Sequence, residues 1–280
     1  MKFIGVLVDD SPWVARLDDD DRILPLASVP AFWADASGWQ ARASTIGGEP
    51  QPRAAFTEVP PVPDSARILC VGLNYRAHAA EGGREAPSAP TIFGRWTPSL
   101  TVTNVPVPLP LNEGGLDWEA EVAVFVGERL WAADTDQAFS AIFGYSTFND
   151  LSARKAQNIS SQFTLGKNAD LSGPMGHIVS SDIVGDLRDG IQVQTRVNGT
   201  QVQNGNTRDL IFPVDEILAL ISQTMTLHPG DVLVSGTPEG VGYVRNPPWL
   251  LQVGDVVEVE IEKLGILTTP IGGPEVRPGS

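Results

Sequence analysis

Two glutamates stand one residue apart inside an apolar run, Glu119-Ala120-Glu121-Val122-Ala123-Val124-Phe125-Val126. The run is rich in valine and reads as a strand. Strand side chains alternate faces, so Glu119 and Glu121 point the same way, while Ala120, Val122, Val124 and Val126 line an opposite face that can enter a core. Two neighbouring carboxylates repel, so they need a cation between them or one must stay protonated. A hard divalent cation on the acidic face is one reading. A solvated outer face of a sheet, where paired acids are common, is the other.

Three further places carry residue types that could join this pair. In Gly72-Leu73-Asn74-Tyr75-Arg76-Ala77-His78-Ala79-Ala80-Glu81, His78 and Glu81 are three apart and adjacent on a helical turn. A carboxylate beside an imidazole raises its basicity and selects its tautomer, as a general base acting on water requires. An ordinary exposed pair on a polar turn has the same spacing. Asn149-Asp150-Leu151-Ser152-Ala153-Arg154 offers Asp150 as a third carboxylate at a strand end, although Asn-Asp is also a common turn. In Thr164-Leu165-Gly166-Lys167-Asn168, Lys167 could neutralise a substrate carboxylate or a developing enolate, or could simply lie on the surface.

The elements that must position these residues follow from periodicity and turn chemistry. Residues 3–8, 13–17 and 23–25 read as short strands around an acidic turn at 18–21. A helical stretch near Trp33 and Trp39 comes next, then a proline cluster from Pro50 to Pro63 that reads as an extended linker. Beyond it, residues 68–73 form a buried strand, 74–85 a short helix or loop, and 87–110 a proline-dotted extended stretch. Residues 134–142 form a helix capped by Asp134 or Thr135, and 143–148 a strand delivering Asn149-Asp150. Asn198-Gly199 marks a hairpin between 191–198 and 200–202. Pro213 opens a helix over 214–223 with Val214, Ile217, Leu218 and Ile221 at helical spacing. Two turn-plus-strand units follow, at 229–234 and 253–261, and the tail after Pro270 is expected to fray. Strands outnumber helices without regular alternation, which indicates an α+β, mostly β fold with a mixed sheet. No Gly-x-Gly-x-x-Gly follows a strand, so a dinucleotide fold has no support.

Composition bounds the partners. The 280 residues carry a formal charge of −15, which argues against nucleic acid and anionic membrane. An anionic substrate would need a locally positive site. No apolar run of about 18 residues occurs, so no membrane span is expected. The short apolar start is ended at once by Asp9-Asp10 and reads as a strand rather than a signal peptide. Cys70 is the single cysteine, set among Ile68, Leu69 and Val71, and reads as a buried inert thiol. Without a signal or disulfide, the cytoplasm is the default compartment.

Taken in order, these segments resemble the fumarylacetoacetate hydrolase family. The resemblance rests on Val71-Gly72-Leu73-Asn74-Tyr75 with His78 and Glu81, Asp117-Trp118-Glu119-Ala120-Glu121, Asn149-Asp150-Leu151-Ser152-Ala153-Arg154 and Thr164-Leu165-Gly166-Lys167. It continues through Asn198-Gly199, Met225-Thr226-Leu227, and Gly230-Asp231-Val232-Leu233 leading into Ser235-Gly236-Thr237-Pro238-Glu239-Gly240-Val241-Gly242. It covers about residues 66 to 270. It implies a mixed β-roll catalytic domain over 64–280, a small N-terminal β-containing domain and linker over 1–63, and a homodimer.

By the same resemblance Glu119, Glu121 and Asp150 would hold Mg²⁺ or Mn²⁺, a choice that suits an all-oxygen donor set. Zinc is disfavoured, since no Cys or His cluster is at hand. The implied substrate is a diketo acid or diketone of the acylpyruvate type. His78, oriented by Glu81, would activate water against the distal carbonyl, and Lys167 would help hold the resulting enolate. The segment 77–87 would be a lid, mobile or partly open without ligand. Tyr75, Arg95, Gly236, Thr237 and Glu239 are the expected substrate contacts.

The chain departs from the family pattern at Arg95, where lysine is usual, at Lys155 after Arg154, at Asn168-Ala169-Asp170, and at Glu239. These changes leave the acyl group of the substrate open, and Trp96 and Trp118 suggest a bulkier or aromatic one. Decarboxylation of oxaloacetate, or isomerisation or hydration in an aromatic-degradation pathway, would use the same site. A metal-binding module without activity is the non-enzymatic alternative.

Overall fold

The computed structural model describes residues 1–274 except Gly82 and Arg84. Among the described residues two sheets carry the fold. The larger runs through the strands Gln51–Pro52, Arg22–Ser28, Ser11–Leu17, Lys2–Val8, Ile178–Ser180, Ile142–Asn149, Ala120–Val126, Val232–Val234, Ile68–Gly72 and Thr91–Arg95, in that spatial order. The smaller runs Thr200–Asn206, Gln192–Val197, Val256–Ile261, Gly265–Gly272 and Val107–Pro108. Most neighbours are antiparallel. Val232–Val234 lies parallel to Ile68–Gly72, and Ile271 to Val107. The fold is therefore α+β and mostly β, with a mixed sheet and a smaller N-terminal β region.

The strand of the two glutamates lies in the middle of the larger sheet, and its alternation is different from a greasy face backed by a wet one. Val122, Val124 and Val126 enter the main core, while Ala123 and Phe125 enter a second core on the other side. Phe125 stacks on Trp33 at 6.0 Å between ring centroids. A strand covered on both faces reads as a near-continuous apolar run, so Glu119 and Glu121 share their face with core residues rather than with solvent. The solvated-face alternative fails for that reason.

The N-terminal segment joins the larger sheet by pairing Lys2 with Val179 and Phe3 with Ile178. The proline cluster is not a plain linker. Glu58–Val59 pairs with Gly5–Val6, and Gln51–Pro52 pairs with Arg22–Ile23. A Cβ at Gly5 would lie 2.1 Å from the Val59 carbonyl, so only glycine lets this strand approach. Of the tail after Pro270, Ile271 and Gly272 still belong to a strand. Gly265–Gly272 is a full strand that carries Pro270 opposite Val256, while residues 275–280 lie outside the described residues. The helix Thr135–Ser140 closes with a capping box between Asp134 and Gln137. The helix Val214–Ser222 buries Val214, Ile217, Leu218 and Ile221. Cys70 is fully buried. Among the described residues no helix is long and apolar enough to cross a membrane.

A crevice of about 470 Å³ where the N-terminal segment meets residues of both sheets is lined in part by Arg53 and His177. Burial, with the positive charges of Lys2 and Arg53, lowers His177 from 6.5 to about 4. Between these values the unfolded chain binds a proton that the folded one refuses. The contribution is complete above pH 6.5 and is lost as pH falls through about 4, and it amounts to about 3 kcal/mol. Urea unfolding at pH 7 and pH 4 should therefore show a loss of stability about 3 kcal/mol smaller in His177→Gln than in the wild type.

Candidate active site

Three segments meet at the end of the central strand. Glu119 and Glu121 come from that strand or its edge. Asp150 follows the strand Ile142–Asn149, its antiparallel neighbour, where Ala120 pairs with Asn149. One carboxylate oxygen from each of Glu119, Glu121 and Asp150 lies within 4.8 Å of the others, and all three residues are buried. Gly236, at φ +94°, turns its N–H to Glu121 Oε2 at 2.5 Å. A Cβ there would meet Asn74 Cβ at 2.8 Å, which accounts for the glycine.

Buried cations hold two of the acids from behind. Arg154 Nη2 donates to Glu119 Oε1 at 2.6 Å, and Arg95 Nε donates to Asp150 Oδ1. Lys167 Nζ bridges the remaining oxygens, Glu119 Oε2 at 2.6 Å and Asp150 Oδ2 at 2.5 Å. Four buried acids, counting Asp117, thus face three buried cations, and among the described residues Glu121 is the acid of this cluster that no cation pairs with, its recorded partner being the Gly236 N–H.

The titration pattern follows from this geometry. Burial alone would raise Glu119, but Lys167 and Arg154 outweigh it and hold the carboxyl below its usual range. Burial pushes Glu121 well above its usual range, and the charges of Asp150 and Glu119 push it further. Burial would lower Lys167, but Asp150 and Glu119 raise it. A cluster short of one positive charge, built only of oxygen donors, fits a hard divalent cation. Such a cation would compete with the Lys167 ammonium for the same two oxygens.

His78, Glu119, Glu121, Arg154, Lys167 and Thr237 line one cavity of about 230 Å³. His78 stands on the helix Arg76–Glu81, whose buried Ala79, with Tyr75 just before the helix, anchors it. The His78 Nδ1 lies 3.4 Å from Glu81 Oε2, and both Glu81 oxygens accept the Gly240 N–H at 3.1 Å. The expected lid thus has an apolar foothold and a polar latch at its first half, while Gly82 and Arg84 lie outside the described residues. Thr237 Oγ1 accepts from Gln203 Nε2 at 3.0 Å, which leaves its own O–H to donate.

Four expected substrate contacts do not line the cavity. Arg95 is spent on Asp150, Ser172 and the carbonyl oxygens of Leu151 and Ser172, so its fork orients a carboxylate of the protein instead of one from a ligand. Gly236 is likewise spent on Glu121. Tyr75 is buried close enough to Glu121 to be pushed above its usual range, by burial first, and its hydroxyl has no partner among the described residues. Glu239 acts on Tyr75 electrostatically from outside the cavity wall. The two tryptophans also lie elsewhere: Trp118 packs on Trp249, and Trp96 is largely exposed.

Asp117 went unassigned in the sequence reading. It is fully buried and accepts Gly242 N–H at 2.6 Å, Tyr243 N–H at 3.1 Å and Arg154 Nε at 2.8 Å. The signal was present: 117, 119 and 121 share one strand-like alternation. In Asp117→Asn the amide NH2 would face donors that now bond a carboxylate oxygen, and a buried ion pair with Arg154 would be broken. A loss of about 3 kcal/mol in denaturant unfolding is expected, together with a weakened grip on Arg154.

The family model described as fumarylacetoacetate hydrolase C-terminal matches residues 67–272. The chain belongs to the fumarylacetoacetate hydrolase family. Its relatives include the mitochondrial oxaloacetate tautomerase fahd2 of Xenopus laevis, 32% identical over 273 residues, or 96% of this chain and 85% of that protein. They also include the 2,4-didehydro-3-deoxy-L-rhamnonate hydrolase of Sphingomonas sp. strain SKA58, 36% identical over 253 residues, or 89% of this chain and 86% of that one. Among solved structures, the fumarylpyruvate hydrolase of Pseudomonas aeruginosa in complex with Mn²⁺ and pyruvate matches with a TM-score of 0.67 and 26% identity, over 78% of this chain and 92% of that one.

Proposed function

We propose that this member of the family is a divalent-metal-dependent hydrolase that cleaves a carbon–carbon bond of a 1,3-dicarbonyl 2-oxo acid. The observation that carries the reading is that one cavity is lined both by acids of the triad and by a histidine backed by a carboxylate. Glu119, Glu121 and Asp150 would hold Mg²⁺ or Mn²⁺. Such an ion supplies Lewis acidity toward a 2-oxo acid.

The chain's own groups do the rest. With Glu81 accepting Nδ1–H, His78 Nε2 takes a proton from water as the water oxygen bonds to the distal carbonyl carbon. The bond from that carbon to the methylene breaks, and its electron pair passes into the 2-oxo half as an enolate. Lys167 supplies positive charge to that half. His78 returns the proton to the methylene carbon, giving a carboxylic acid and a shorter 2-oxo acid.

A second reading, oxaloacetate tautomerisation or decarboxylation, is favoured by the Xenopus laevis relative, whose match extends over nearly all of this chain. Incubation with acylpyruvates and with oxaloacetate, with products identified by mass and enol–keto exchange followed by ultraviolet absorbance, separates the two. Paired acid and 2-oxo acid products from acylpyruvate support hydrolysis. Enol–keto exchange or loss of carbon dioxide from oxaloacetate alone supports the second reading.

A further inference from the structure

We infer that the cavity takes a 2-oxo acid whose acyl end is an uncharged alkyl or aryl group and discriminates against substrates ending in a second carboxylate. This rests on the diketo-acid reading above and adds what lies at the far end of the molecule.

The cavity changes character from floor to mouth. Its floor is the buried cluster of Glu119, Glu121 and Lys167. An aromatic wall begins at once above the ammonium: the Phe93 ring lies 5.5 Å from Lys167 Nζ, and Phe163 packs edge-on against Phe93 at 5.4 Å. Buried Val241 also lines the cavity, and the outer wall is Tyr243 and Val244, 46% and 39% exposed. The neutral polar groups at this level are Gln157, Asn158 and the Tyr243 hydroxyl, which accepts from Asn158 Nδ2 at 3.3 Å.

The cations of the lining, Arg154 and Lys167, lie at its buried end. Arg154 donates from three nitrogens, to Asp117, Gln157 and Glu119. Lys167 is shared between Glu119 and Asp150. Among the described lining residues no other lysine or arginine occurs. A distal carboxylate would therefore lose water against aromatic and branched side chains without a charge partner at that level. An alkyl or aryl group would gain from the same wall. The three aromatic residues come from separate segments, so no local motif announces them.

The test compares two ligands of the same shape on the full chain with Mg²⁺ in excess: 5-methyl-2-oxohexanoate, with a branched alkyl end, and 2-oxopentanedioate, with a carboxylate in its place. Calorimetric titration should show the alkyl compound binding roughly 10- to 200-fold tighter. Val244→Arg, a change at a partly exposed mouth position, should narrow that ratio about tenfold by bringing a cation to the distal end. Equal or tighter binding of 2-oxopentanedioate by the wild type, or no binding of either compound, would overturn the inference. Turnover of matched acylpyruvates is scored separately. A binding preference without cleavage upholds the inference and removes the hydrolase reading.

Discussion

His78→Gln should lower kcat on an acylpyruvate by roughly 10²- to 10⁴-fold while leaving Mn²⁺ affinity unchanged. The imidazole is the cavity-lining group with a carboxylate behind it and a nitrogen left to face water. Glutamine is close in size and can still reach Glu81, but it cannot take a proton near neutral pH. Glu119 feels the charge of His78, so an unchanged metal titration is a real constraint on the result. Glu81→Gln should have a smaller effect, about tenfold, because it weakens orientation and leaves the base in place. Stopped-flow or steady-state kinetics on both variants, with metal titrated in parallel, checks this. A His78→Gln enzyme at full rate would remove water activation from the mechanism and favour the enolate-only reactions.

Glu121→Gln should weaken Mn²⁺ binding by more than about 100-fold, since losing even an outer partner of a metal ligand costs 10- to 100-fold. Turnover should fall with it. The fold should survive, because glutamine keeps an oxygen to accept the Gly236 N–H. Stability gives a second readout with a defined sign. Burial, Asp150 and Glu119 raise Glu121 above its ordinary value, so in the metal-free protein its contribution is present below the ordinary carboxylate pKa and is lost as pH rises through the elevated one. The variant lacks that loss. Metal-free Glu121→Gln should therefore be at least as heat-stable as the metal-free wild type at neutral pH, while Mn²⁺ should raise the melting temperature of the wild type alone. A variant that simply misfolds would fail the first comparison.

The chemistry-bearing residues were legible because each sits where a local rule puts it. Glu119 and Glu121 follow strand alternation, Asp150 follows a strand end, and His78 with Glu81 follows helical spacing. The hairpin at Asn198-Gly199 was equally local, since both residues take positive φ, as the two-residue turn demands. What stayed hidden depends on which strands become neighbours. The glutamate strand is interior because Ile142–Asn149 and Val232–Val234 flank its edges, and it is covered on both faces because a core packs on each. That converts two acids on a supposed wet face into buried groups with opposite shifts.

Arg95 shows the same limit. At a strand end facing a presumed pocket it reads as a ligand contact, yet pairing beside Ile68–Gly72 points it at Asp150. The proline cluster from Pro50 to Pro63 shows the reverse error, where residues counted as linker supply Gln51–Pro52 and Glu58–Val59 as strand partners.

The central claim is that Glu119, Glu121 and Asp150 together bind one divalent cation. Titration of chelator-stripped protein with Mn²⁺, followed by loss of the free-ion paramagnetic resonance signal, tests it most directly. One saturable Mn²⁺ per chain, displaced by Mg²⁺ and absent in Glu121→Gln, is the predicted result. No bound Mn²⁺, or the same binding in the variant, would mean that Lys167 and the two arginines already satisfy these carboxylates and that they form a structural ion cluster rather than a metal site.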